Sequence, residues 1–183
     1  ELSVEKFVDD FHLTIAPPIN YEQLSQILIQ HLNYKLDESR FNNFEELKQL
    51  RGVLKPGKQP ILFLNPLLSP AQKLFIIGKE LAYNYLKISK RSYIHSSLKL
   101  NTFDHLLNNY IAAYFSAALI LNKNNFTADI NTFFLQEKWD EYFLINLIIK
   151  YDATPEMFFQ RLANLSGNVL GLKKYFFLRF NTI

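Results

Sequence analysis

The segment from Ile61 to about Lys87 constrains the fold more than any other part of the chain. Ile61-Leu62-Phe63-Leu64 is a short apolar run, and the Pro56-Gly57 turn before it marks it as a buried strand. Ser69-Pro70-Ala71-Gln72 follows it closely. The serine can cap a helix, proline suits the first helical position, and glutamine three residues on can close a capping box. Leu74, Ile77 and Leu81 then recur at helical spacing, which predicts a helix from Ser69 to about Lys87 with one face in the core. A strand feeding a capped, half-buried helix is the unit around which the other elements must pack.

Those elements are predicted in the same way. Val4, Phe7, Val8 and Phe11 give an opening helix that ends before Pro17-Pro18. Asn20, with Gln23 three residues on, starts a second helix, with Leu24, Ile27, Leu28 and His31 on its inner face. Alternation over Tyr34–Phe41 predicts a strand, and Asn43 and Glu46 bracket the start of a short helix. With Gly52-Val53-Leu54 these make a small antiparallel sheet. Thr102 caps a long helix to about Asn122, and a third spans the region from Asn131 to Tyr151 with Trp139 in the core. Thr154-Pro155-Glu156 opens a fourth, ending near Ser166-Gly167, and Tyr175–Phe180 is a candidate last strand. Helices, a small sheet and more helices predict a predominantly helical α+β fold. With no repeat and no linker, residues 1–183 are expected to form a single domain.

Composition removes several kinds of chemistry. The chain has no cysteine, so disulfides, thiolate metal sites and cysteine nucleophiles are excluded, as fits a reducing cytoplasm. Its net charge of +3 is spread thinly. The nearest cluster, Lys87, Lys90 and Arg91, reads as a solvated face and not as a nucleic-acid surface. No run is long and apolar enough to span a membrane; Ile111–Leu121 is the most apolar and is too short. No Gly-x-Ser-x-Gly and no glycine-rich phosphate loop occurs. The 17 Phe and 10 Tyr can fill a bulky core or line an apolar ligand pocket.

The Ser69 helix carries Lys79-Glu80-Leu81-Ala82-Tyr83. In a zincin, His-Glu-x-x-His at this place puts two imidazoles on one helix face around a zinc ion, while the glutamate polarises a bound water. Here Glu80 is kept, and Lys79 and Tyr83 stand at the ligand positions. With the preceding Pro60–Asn65 strand and Ser69–Phe75 helix start, the segment resembles the ImmA/IrrE family of metallopeptidase-like regulators. That resemblance implies an acidic third ligand on the next long helix, where this chain has Asn109. None of the three ligand positions is kept, so neither a metal nor catalytic residues are expected. Phe103–Tyr110, Ala113-Tyr114-Phe115, Lys150–Phe158 and Phe177–Phe180 resemble a narrower group of bacterial transcription regulators, from about Pro60 to Phe180. That group joins a helix-turn-helix domain of the xenobiotic-response-element type to a degenerate ImmA/IrrE-like domain and is associated with short-chain fatty-acyl metabolism.

The resemblance implies a cytoplasmic, ligand-sensing domain without a cofactor. Its DNA contacts would be made by a helix-turn-helix domain preceding Glu1, and a homodimer is a possible assembly. Lys79, Glu80, Tyr83 and Asn109 are the expected ligand-binding residues, for a short acyl or acyl-CoA effector. A lysine supplies a cation for a carboxylate or phosphate, and tyrosine and asparagine supply hydrogen bonds. Two alternatives stay open: a metalloprotease using other ligands, such as His105 with Glu80, and a ligand-free dimerisation module. His12, His31, His95 and His105 show no metal-ligand spacing among themselves.

Overall fold

The computed structural model describes residues 1–41, 47, 49–95, 102–167 and 170–171. Among the described residues there are seven α-helices and one four-stranded sheet, as the α+β expectation requires. The order is α1 (Leu2–Asp10), α2 (Tyr21–Gln26) with a π turn over Ile27–His31, β1 (Lys35–Asp37), β2 (Gly52–Lys55), β3 (Ile61–Leu64), α3 (Pro70–Tyr85), β4 (Ile94–His95), α4 (Phe103–Ile120), α5 (Lys123–Phe134), α6 (Glu141–Lys150) and α7 (Pro155–Ser166).

The sheet runs β1-β3-β2-β4. β2 pairs antiparallel with both β3 and β4, but β1 runs parallel to β3, so the sheet is mixed and not purely antiparallel. Alternation predicts β1 out to Phe41, yet pairing stops at Asp37. The Asp37 carboxylate accepts hydrogen bonds from the backbone of Ser39 and Arg40 and from the Ser39 hydroxyl, which bends the chain away. The expected short helix after Asn43 and the strand over Tyr175–Phe180 lie outside the described residues.

Helix α3 forms as expected. The Ser69 hydroxyl accepts from Gln72 N–H, and the Gln72 side chain accepts from Ser69 N–H. It ends where Lys87 takes a left-handed backbone (φ +54°) and Ile88 N–H donates to Tyr83 C=O. This reversal sends residues 88–95 back along the helix to make β4. Thr102 caps α4 through His105 N–H. The expected third helix is instead two, α5 and α6, with a break at 135–140 that leaves Trp139 mostly exposed and outside the core. His31 is likewise exposed.

Leu74, Ile77, Leu81, Phe115, Ala118 and Leu119 are buried between α3, α4 and the sheet, and α3–α4 is the most extensive helix contact. The axes close up at Gly78. A Cβ there would lie 2.3 Å from Ser116 Oγ and 3.0 Å from its Cβ. Ser116 is itself held, its hydroxyl donating to Phe75 C=O at 2.8 Å. Gly78→Ala gains helix propensity of about 1 kcal/mol but must push α4 aside. The clash wins: we expect a net loss of about 1–3 kcal/mol in urea unfolding, partly restored when Ser116→Gly is added.

Candidate functional site

Lys79 and Tyr83 stand one turn apart on α3 and face α4. Lys79 Nζ donates to Asn109 Oδ1 at 2.6 Å, and the Tyr83 hydroxyl lies 3.5 Å from the same oxygen. Three of the four expected residues therefore meet at one point. Burial lowers Lys79 against the opposing pull of the Glu80 charge, and the Arg91 and Arg51 cations add to the effect of burial; its pKa falls to about 8. Burial also raises the Tyr83 phenol to about 12, so it stays neutral.

Glu80 is one residue further round the helix and points elsewhere, into a sealed polar cluster. Its side chain is wholly buried. One oxygen accepts from Arg91 and from His95 Nε2 (2.8 Å), and the other accepts from the Tyr34 hydroxyl (3.1 Å). Asn84 donates to the Tyr34 oxygen at 2.9 Å and to Glu80 C=O at 2.8 Å. The Arg91 guanidinium lies 3.9 Å from the centre of the Tyr83 ring. Burial by itself raises Glu80, but the hydrogen bond from His95 and the charge and hydrogen bond of Arg91 hold it below the usual carboxylate range. Burial lowers His95, and the Lys79 and Arg91 cations push the same way against Glu80. The consistent state is a neutral imidazole donating to a carboxylate whose counter-charge is Arg91.

The expectation of a solvated Lys87, Lys90 and Arg91 face thus fails for Arg91, which is buried and paired, while both lysines are exposed. Neither Arg91 nor His95 stands out in the sequence. The available signal is Glu80 itself, set among Ile77 and Leu81 in a helix face that must be dry. A buried carboxylate there demands a cation.

Beside Lys79 opens a cleft of about 520 Å3 between α3, α4 and the start of α7. Arg51, Gln72, Lys79 and Asn109 supply polar groups, and Phe75, Ile76, Leu106, Tyr110, Ala113 and Met157 supply apolar ones. Thr154, Pro155, Glu156 and Gln160 of α7 and its cap close one side. Arg51, just before β2, is a cleft residue that sequence reasoning missed. Tyr83, Glu80 and His105 are not among the cleft-lining residues; Tyr83 reaches the cleft only through Asn109. The donor set does not suit zinc. An ammonium, a phenol of raised pKa and an amide stand where imidazoles and a carboxylate are needed. Among the described residues no three His, Asp or Glu side chains come together as a metal site.

No family model matches the chain, and no curated protein sequence matches it. Among solved structures, a Mycobacterium tuberculosis transcriptional regulator has a similar fold. The TM-score is 0.62 at 15% identity, over 88% of this chain and 45% of that one. The fold is one that a transcriptional regulator contains. This chain spans less than half of that regulator's length, and at such low identity the likeness is one of fold alone. Among the described residues no helix is long and apolar enough to cross a membrane.

The Glu80 cluster makes stability depend on pH. His95 has a folded pKa below its ordinary 6.5, so the unfolded chain takes up its proton first and stability falls as pH drops below about 6.5. Glu80, lowered from 4.5, contributes stability that is present above that value and lost as pH falls through its folded pKa. Urea midpoints should therefore drop between about pH 7.5 and 5.5, and His95→Gln should flatten that part of the curve. Arg91→Met should cost about 3–5 kcal/mol at neutral pH, because it strands the Glu80 charge.

Proposed function

We propose that this domain is the catalytically inactive, ligand-sensing part of a cytoplasmic transcription regulator, and that its effector is a short acyl carboxylate or acyl-CoA bound in the α3–α4 cleft. One observation carries the reading: the cleft joins a cationic, hydrogen-bonding corner to an apolar wall. Lys79 and Arg51 provide charge for an anionic group, and Asn109 a hydrogen bond. Phe75, Leu106, Tyr110 and Met157 provide a surface for a short hydrocarbon chain. Tyr83 acts as a positioning residue for Asn109, and Glu80 anchors the sheet behind the helix.

The regulator-like fold supports the regulatory role, and DNA contact would then belong to a helix-turn-helix domain outside this chain. Effector binding would act by differential affinity for two arrangements of the whole protein. A metalloprotease reading has less support, since Glu80 is neutralised by Arg91 and turned away from the cleft.

Calorimetry with short-chain fatty acids and their coenzyme A thioesters tests the proposal. Lys79→Ala should weaken binding about tenfold or more, as expected for a hydrogen bond to a charged group. Tyr83→Phe should cost only about 0.5–1.5 kcal/mol. Anion binding requires the protonated amine, so affinity should decline as pH rises through about 8, the Lys79 value, and Lys79→Arg should abolish that decline. Strong binding that ignores Lys79 would place the effector elsewhere.

A further inference from the structure

Two cations, Lys79 and Arg51, line one cleft, and among the described residues neither forms an ion pair with a carboxylate. Glu80, next to Lys79 in sequence, is turned away and bonded to Arg91 and His95. Glu156 of α7 also lines the cleft but pairs with neither cation. The Lys79 amine donates instead to a neutral acceptor, Asn109 Oδ1 at 2.6 Å. Like charges held together favour the state in which one of them is lost, and only the lysine can lose its proton. With a pKa of about 8, about a tenth of the Lys79 amine is neutral at pH 7, against well under a thousandth for an ordinary lysine. An amine of this kind, half-buried on an apolar wall beside a second cation, is in the setting where lysine acts as a nucleophile toward carbonyl carbon. Arginine supplies what a bare amine lacks, a planar fork that grips a carboxylate at two points.

We propose that Lys79 binds short 2-oxo acids covalently, as an imine, with the carboxylate of the acid held by Arg51. The neutral amine adds its lone pair to the keto carbon. Its two N–H protons and the keto oxygen then leave as water, and a carbon–nitrogen double bond remains. The imine takes up a proton from water, and Asn109 Oδ1, which accepts from the amine beforehand, accepts from the new N–H. No oxidant or further reactant is needed. The class of ligand follows from the pair of cations. A simple fatty acid offers Arg51 a carboxylate but gives Lys79 no electrophilic carbon, and an aldehyde does the reverse. A 2-oxo acid carries both groups on adjacent carbons, and its alkyl chain can lie along Phe75, Leu106 and Met157. The inference shares its cleft with the effector reading but needs neither a thioester nor a regulatory role.

The test uses the whole 183-residue chain. It is incubated at pH 7 with 2-oxobutyrate or with butanal, reduced with borohydride to fix any imine, and mapped by peptide mass spectrometry. Exposed Lys90 is the reference within the same molecule. With 2-oxobutyrate, Lys79 should be labelled about tenfold or more faster than Lys90, because a neutral amine and a bound carboxylate act together. With butanal that preference should be much smaller, and an excess of butyrate should suppress the labelling of Lys79 by 2-oxobutyrate. These comparisons need no variant. Arg51→Gln should then cut the 2-oxobutyrate labelling of Lys79 about tenfold, well beyond its effect on butanal labelling. Labelling of Lys79 no faster than Lys90 would overturn the proposal. So would equal preference for the two probes, or labelling by 2-oxobutyrate that ignores Arg51→Gln. The effector reading fails separately: butyrate binding in calorimetry while Lys79 stays unlabelled sinks the imine alone, whereas labelling by 2-oxobutyrate with no binding of fatty acids or thioesters sustains the imine and sinks the acyl effector.

Discussion

A carboxylate cut off from water must be answered by charge and by donors, and the arrangement of this domain depends on how Glu80 is answered. Its partners come from two separate stretches of chain: Tyr34 just before β1, and the segment returning from α3, which supplies Arg91 and, on β4, His95. Each can reach Glu80 only if the sheet lies against α3 as it does and if the chain turns back sharply at Lys87. Removing such a cluster in favour of packed apolar groups can leave a protein as stable or more so, so its presence is weak evidence for stability as such. What it does specify is a single position of the helix relative to the sheet.

The position of Lys79 is a consequence of that anchoring. With Glu80 fixed on one side, the helix turns Lys79 and Tyr83 toward α4, and the amine meets Asn109 instead of the carboxylate beside it in sequence. Adjacent residues on a helix are about 100° apart, enough to place one in a sealed interior and the next on a cleft wall. Burial pushes the lysine and the glutamate alike toward their neutral forms. Only the glutamate has an opposite charge within hydrogen-bond reach to reverse that push.

Local signals in the sequence are reliable where the physics is local. The Ser69 box, the Thr102 and Thr154 caps and the apolar spacing of α3 and α4 each need only a few adjacent residues, and all appear in the structure. The meeting of Lys79, Tyr83 and Asn109 is legible through the family resemblance. The rest depends on contacts distant in sequence. The parallel entry of β1, a two-residue β4, Arg51 at the cleft and Arg91 under Tyr83 leave no periodic trace. Trp139 misleads because a large aromatic next to an apolar stretch looks like core, whereas a break in the helix after Phe134 and the capping of α6 by Asp140 put it outside.

The contact between Gly78 and Ser116 has a mechanical consequence. Two helix backbones that touch, with no large side chain between them at that point, cannot slide past each other without a collision, and interiors packed to crystal-like density yield little. What remains is rotation. α3 and α4 behave as two blades riveted at this contact, with the cleft residues Phe75, Lys79, Asn109 and Ala113 close to the rivet. Any widening of the cleft mouth is then a scissoring motion, largest at the far ends of the blades and smallest at Lys79 itself.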